Sequence, residues 1–227
     1  MFIPRHPVVE NQFCQFTTYS GVAGTGGIGG VLAYAGAVCY LDENAANQDA
    51  LVEIYAANEA NITADTDEII PFGFLMQKVK MGYHNVHPTG FMMPGDLGSS
   101  DVIAQPSYSS AGVINGVKNA PVGVAHLGIW DTVHYVVKYG STIPNATVAA
   151  GDGMLPGQHL HVNNDSNGVD GAGTSKVTNY INDNETDGMY STVDVAVARV
   201  VKGAAAGQCQ ASVNNTTLYP IRIKLLV

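Results

Sequence analysis

The last ten residues, LYPIRIKLLV, alternate between apolar and polar side chains with a period of two residues. Ile221, Ile223 and Leu225 fall on one side of an extended chain, and Arg222 and Lys224 fall on the other. This period is typical of a β-strand with one buried face and one solvated face. The C-terminus therefore predicts a strand at the surface of a β-sheet.

Two further runs have the same period, TVDVAVARVV (192–201) and WDTVHYVVKYG (130–140). Turn residues rich in Gly, Pro, Asn and Asp separate such runs at intervals of mostly under about a dozen residues. This spacing predicts an all-β fold, an antiparallel β-barrel or β-sandwich with long loops. One segment, 44–60, could form a helix, although its centre, LVEIYA (51–56), also fits a strand.

Residues 1–30 differ from the rest of the chain. Pro4 and Pro7 hold the start extended, and GVAGTGGIGG (21–30) is too rich in glycine to carry regular structure by itself. We interpret this region as an extended N-terminal arm that acts in partner contact. Its apolar side chains would anchor the arm in a neighbour's groove: Phe2, Ile3, Phe13 and Phe16.

The remaining residues, 31–227, form the predicted β domain. A small, polar stretch with flanking prolines near residues 104–121 is either a long loop between two β units or an insertion within one. Both alternatives fit the sequence.

Charge and composition narrow the classes of partner. The net charge is −9, and no basic residue lies between Arg5 and Lys78, which argues against nucleic acid because phosphate binding needs clustered Lys and Arg. No apolar stretch approaches the roughly 18 residues of a membrane-spanning helix, so we expect no membrane partner. Three scattered cysteines do not predict a disulfide framework or a zinc site.

Three motifs resemble sites of chemistry, and each has a simpler interpretation. GTGGIG (24–29) fits the letters of a dinucleotide-binding loop but lacks the preceding strand and following helix. His159 and His161 in GMLPGQHLH (153–161) would share one strand face and could bind a metal, yet no third histidine follows them. Because Leu160 and Val162 alternate with the two histidines, the simpler interpretation is that both lie on the solvated face of the strand. HNVH (84–87) lies among turn residues. We therefore predict no bound metal and no cofactor.

No Gly-X-Ser-X-Gly nucleophile motif occurs in the chain. Acids such as Asp96 and Asp101 stand beside Gly or Ser in turn-forming contexts. We therefore predict that the protein is not an enzyme and has no catalytic residues.

Several segments resemble the virion proteins of tailed bacteriophages that decorate or cement the capsid. They are PFGFLMQKVK (71–80), MPGDLGSSDVI (93–103), GSTIPNATVAAGDGMLPGQHLHV (140–162) and the closing strands VAVARVVKG and LYPIRIKLLV. The resemblance implies a small β-barrel or sandwich that assembles as a homo-oligomer, often a trimer. It also implies binding to the major capsid protein at the outer capsid surface of the virion, after synthesis in the host cytoplasm.

Two alternatives come from other classes of protein. His159 and His161 leave open a metal-dependent, cupin-like enzyme. A virion protein that binds the host surface or glycans is the other alternative. Exposed aromatic side chains would favour it, but the one tryptophan, Trp130, lies inside a strand pattern.

Overall fold

Strands dominate the part of the chain that the computed structural model describes. The described residues are 2–5, 11–18, 31–41, 51–54, 70–81, 101–108, 114–136, 153–163, 175–179, 192–205, 208 and 219–227. These ranges contain no α-helix, and hence no helix long and apolar enough to cross a membrane. The prediction of an all-β fold is confirmed for them.

Fifteen strands are present in these ranges. In chain order they are β1 (Phe2–Pro4), β2 (Asn11–Thr18), β3 (Val31–Ala33), β4 (Val38–Leu41), β5 (Leu51–Ile54), β6 (Pro71–Leu75), β7 (Lys78–Met81), β8 (Asp101–Tyr108), β9 (Ile114–Ala125), β10 (Ile129–Thr132), β11 (Tyr135–Val136), β12 (His159–Asn163), β13 (Lys176–Thr178), β14 (Thr192–Lys202) and β15 (Ile221–Leu225). They belong to two sheets, one of eight strands and one of seven.

Five strands of the larger sheet close into a barrel. The order around it is β2, β5, β4, β6 and β9, and β9 pairs back with β2 to complete the ring. Four of these pairings are antiparallel, whereas β2 and β5 are parallel. β8, β7 and β3 continue the sheet outward from β9. The fold therefore includes a closed barrel, but one of mixed strand direction.

The seven-stranded sheet has the order β1, β10, β15, β14, β12, β13 and β11. Its strands pair antiparallel except for β11 and β13. The C-terminal strand β15 lies inside this sheet, between β10 and β14. Ile221, Ile223 and Leu225 are buried there, while Lys224 is exposed, as their alternation predicts.

The apolar side chains form two cores. One lies within the eight-stranded sheet, and the other joins that sheet to the seven-stranded one. β4 contributes to both, because Cys39 belongs to the first core while Val38 and Tyr40 belong to the second. A strand buried on both faces carries apolar residues at consecutive positions, which explains the continuous apolar run VCY.

Residues from the predicted N-terminal arm take part in both sheets. β1 pairs with β10, and β2 pairs with β5 and β9 in the barrel. The ring of Phe2 stacks on Trp130 at a centroid distance of 4.4 Å and on Phe74 at 5.7 Å. Residues 6–10 and 19–30 lie outside the described residues. An arm separate from the β domain is therefore not confirmed.

The turn between β3 and β4 of the eight-stranded sheet packs closely against the seven-stranded sheet. Gly36 has a φ of +92°, a conformation that favours glycine, and its N–H donates to the carbonyl of Leu75 at 2.8 Å. A Cβ at Gly36 would lie 2.9 Å from Oγ1 of Thr132 and 3.3 Å from the Phe2 ring. The turn thus reaches β10 and the N-terminal strand of the other sheet.

Two sequence patterns folded differently from their simplest interpretation. Along β14 the pairing with β12 shifts register. Val195 is therefore 47% exposed, while the consecutive residues Val197 and Ala198 are both buried. The predicted strict alternation is wrong there, because a bulge interrupts the period of two. Residues 51–54 within the candidate helix 44–60 form β5, so the strand alternative is correct for them.

Within the candidate boundary near 104–121, residues 104–108 belong to β8 and residues 114–121 to β9, and residues 109–113 lie outside the described ranges. These two strands pair antiparallel in the eight-stranded sheet, for example Gln105 with Lys118. Whether the β domain has one unit or two stays a prediction.

Candidate interaction face on the seven-stranded sheet

The side of the seven-stranded sheet that faces away from the second core carries a concentration of positive charge. β14 and β15 bring Arg199 opposite Lys224, and Lys202 opposite Arg222. Side chains of directly paired residues share one face of a sheet. Arg5, next to β1, reaches the same face through Asp131. Five of the chain's ten Lys and Arg residues therefore lie together: Arg5, Arg199, Lys202, Arg222 and Lys224.

We call these five residues together with Asp131 the cationic face. Arg199, Lys202 and Lys224 are exposed. Within the described ranges none of the three has an acid at ion-pair distance. The guanidinium of Arg199 instead donates to Nε2 of His159 at 3.3 Å. The face consequently keeps most of its positive charge.

Asp131 is the acid at the centre of this arrangement. Nε of Arg5 donates to its Oδ2 at 2.6 Å, and Nε of Arg222 donates to its Oδ1 at 2.8 Å. The Asp131 side chain is 9% exposed, against 44% for Arg5 and 34% for Arg222. The carboxylate of Asp131 on β10 thus links this strand to the N-terminal segment and to β15.

The two guanidinium groups determine the charge state of Asp131. Burial alone would raise its pKa, but the hydrogen bonds from Arg222 and Arg5 outweigh burial and lower the pKa below its ordinary value. The hydrogen bond with Asp131 in turn raises the pKa of Arg222. Asp131 and Arg222 both stay charged at neutral pH.

We expect Asp131→Asn to lower the free energy of unfolding by about 2 kcal/mol at neutral pH, since it removes a charged acceptor from two guanidinium groups. A carboxyl whose pKa is lower in the folded state stabilises the protein above its unfolded pKa of about 3.9. That contribution disappears as the pH falls below about 4 towards the folded pKa. Urea unfolding of both proteins between about pH 2.5 and 7 measures the difference.

Lys224→Gln is the matched control, because it removes a charge from the same face at an exposed side chain with no acid partner among the described residues. We expect it to change stability by less than about 0.5 kcal/mol at every pH. A deficit of Asp131→Asn that is equally large at acid and neutral pH would contradict a charge-dependent role.

The four predicted arm anchors lie in different environments. Phe2 is buried in the core between the sheets, and Phe16 is buried in the core of the eight-stranded sheet. Phe13 is 72% exposed, and its partner across the strand pair is Gly123, which has no side chain to cover it. Ile3 belongs to β1, but its side chain is outside the described part. Partner contact stays a prediction, and Phe13 is the anchor with a described exposed side chain.

The two histidines of the candidate metal motif also differ in environment. His159 is exposed beside Arg199, whereas His161 is only 5% exposed and pairs with the buried Thr178 across β12 and β13. The expectation that both lie on a solvated face is therefore wrong for His161. No group of three or more His, Cys, Asp or Glu residues that could hold a metal occurs among the described residues.

Other candidates from the sequence have simpler roles or lie elsewhere. Trp130 is fully buried against Phe2, so its ring does not offer a stacking surface for a ligand. Burial raises the pKa of the Cys39 thiol, which keeps it protonated and unreactive. GTGGIG (24–29) and HNVH (84–87) lie outside the described residues.

Sequence reasoning placed Arg222 and Lys224 on a solvated strand face but missed the cationic face. Its other members come from positions far apart in the chain, and only the register of β14 on β15 brings Arg199 opposite Lys224. Arg199 in TVDVAVARVV and Arg222 in LYPIRIKLLV were the available signals, because the first replaces an apolar residue of the alternation and the second belongs to its polar face.

Comparison with known proteins adds no relative: no protein-family model matches this chain, and no curated protein matches it.

Proposed function

We propose that this chain is a structural virion protein that binds the outer surface of a tailed-bacteriophage capsid and bridges subunits of the major capsid protein. The observation that carries the proposal is the exposed cationic face, a sheet surface on which Arg199, Lys202 and Lys224 have no acid at ion-pair distance within the described part of the chain. A sheet face with exposed charges is suited to contact with another protein surface. The resemblance of segments 71–80, 93–103 and 140–162 to decoration proteins supports the choice of partner.

In this proposal the protein assembles on the shell as a homo-oligomer, a trimer in the arrangement that the resemblance implies. The subunit has a sandwich-like arrangement of the seven-stranded sheet on the barrel. Its N-terminal region makes the further contact through Phe13. An exposed aromatic side chain is a frequent anchor in protein interfaces because it buries a large apolar area at a small cost in conformational freedom. No catalytic step, metal or nucleic acid takes part.

Co-sedimentation with shells assembled from a candidate major capsid protein tests the proposal. We expect the wild-type chain to sediment with the shells at a fixed ratio and to raise their melting temperature. Phe13→Ala should weaken this binding about tenfold or more, as expected for an interface anchor worth about 2 kcal/mol. It should leave the melting temperature of the free chain unchanged, because the ring is 72% exposed.

Gln15→Ala is the control, since Gln15 is also exposed on β2 but offers little apolar surface. It should bind shells as the wild type does. A wild-type chain that stays in the supernatant with every shell tested would count against capsid binding. Equal losses in the two variants would count against Phe13 as the anchor.

A further inference from the structure

The cationic face contains direct pairs of like charges. Arg199 and Lys224 are cross-strand partners, and so are Lys202 and Arg222. Like charges at directly opposed positions destabilise a sheet. Asp131 compensates Arg222 but is itself shared with Arg5. Apart from the hydrogen bond between Arg199 and His159, no ion pair or hydrogen bond among the described residues explains Arg199, Lys202 and Lys224 at these positions.

The sign of this face is opposite to that of the whole protein. The chain has 19 acids and 10 Lys or Arg residues, yet among the described residues one acid, Asp131, pairs with the cations of the face. A positive patch on a protein with a net charge of −9 gives the surface potential a strong local contrast. Such a patch attracts a partner of negative charge in one orientation and leaves the rest of the molecule to repel it.

Apolar side chains lie next to the charges. Val201 is 44% exposed beside Lys202, and Leu226, two residues beyond Lys224, is 46% exposed. Protein interfaces combine apolar contacts with charged groups, whereas contacts to a nucleic-acid backbone are chiefly polar and cationic. The mixture at this face favours a protein surface over nucleic acid.

We infer that the cationic face binds a protein surface rich in carboxylates, with Arg199, Lys202 and Lys224 as the groups that contact it. The inference rests on the proposed function, in which this surface belongs to the outer side of the capsid shell. Arg222 and Arg5 are already held by Asp131 and position the neighbouring strands.

Two variants that each lose two positive charges distinguish an effect of the cationic face on binding from an effect of the protein's net charge. The face variant carries Arg199→Gln and Lys224→Gln, and the control carries Lys78→Gln and Lys80→Gln on β7 of the other sheet. The probes are a fluorescent polyglutamate peptide, a DNA duplex of equal charge and the assembled shells. Binding is measured at about 0.05 M and 0.5 M salt, where screening lengths differ several-fold.

We expect the wild type and the control to bind polyglutamate at low salt, more tightly than DNA, and to release it at high salt. The face variant should bind both polyglutamate and shells about tenfold more weakly, in line with the loss of two exposed ion pairs. Melting temperatures should show that all three proteins are folded.

Three results would overturn the inference: tighter binding of DNA than of polyglutamate, equal losses in the face variant and the control, or no binding of polyglutamate at low salt. Self-association of the wild type that the face variant alone loses would identify a second copy as the occupant and also overturn it. If shells bind the face variant and wild type equally, the inference fails while capsid binding stands. If the wild type binds polyglutamate but no shell, capsid binding fails.

Discussion

Replacing Phe2 by alanine is expected to lower the free energy of unfolding by about 3–5 kcal/mol, the usual range for truncating a buried aromatic side chain. Phe2 is fully buried, and its ring stacks on those of Trp130 and Phe74. Trp130 belongs to one sheet and Phe74 to the other, so the truncation leaves a cavity where the sheets meet. Urea unfolding monitored by Trp130 fluorescence measures the loss.

Phe13→Ala is the matched control, because it removes the same ring from a site that is 72% exposed. We expect it to change the free energy of unfolding by less than about 0.5 kcal/mol. If Phe2→Ala were equally mild, the N-terminal segment would not belong to the core, and its interpretation as a separate arm would regain support.

Gly203→Ala is expected to destabilise the protein by at least about 3 kcal/mol, the upper end of the range for overpacking. A Cβ at Gly203 would overlap the carbonyl oxygen of Met154, which accepts the N–H of Ala204 at 3.0 Å. This oxygen belongs to the backbone and cannot rotate away as a side chain can. The substitution should break the bridge between Met154 and Ala204 and lower the melting temperature by several degrees.

Gly123→Ala provides the comparison within the same fold. A Cβ there would approach the Met76 sulfur at 3.0 Å, an atom of a flexible side chain. We expect a loss below about 1 kcal/mol, since the methionine can move. Equal melting temperatures for the two variants would contradict this expectation. They would show that the backbone near Gly203 can shift to accommodate a Cβ despite its close contact with Met154.

The C-terminal strand shows what the sequence could predict. Its alternation correctly gave a buried face of Ile221, Ile223 and Leu225 and a more exposed face containing Lys224. The prediction succeeded because a regular strand with one solvated face alternates between apolar and polar residues in its own sequence. The strict alternation predicted for the neighbouring β14 was wrong, because its register shifts arise from pairing with β12 and β15.

The barrel and the cationic face depend on contacts between distant residues. β2 closes the ring with β9 over a separation of about a hundred residues, and no local pattern encodes such a pairing. His161 was expected to be solvated because its neighbours alternate with it, yet it is buried. For the same reason the sequence could predict which face of its own strand a charged side chain occupies. It could not predict which side chains of other strands lie beside it.

The position of β1 and β15 in one sheet has a consequence for how the chain is made. Phe2 pairs with Thr132, and Asp131 binds both Arg5 and Arg222, partners 126 and 91 residues away in the chain. The ribosome synthesises β1 well before β10 and β15, so the seven-stranded sheet cannot close until β15 has been made. Topologies dominated by such long-range contacts fold slowly and expose unpaired edges meanwhile. Synthesis of β15, rather than collapse of the N-terminal half, is therefore the step that allows this sheet to form.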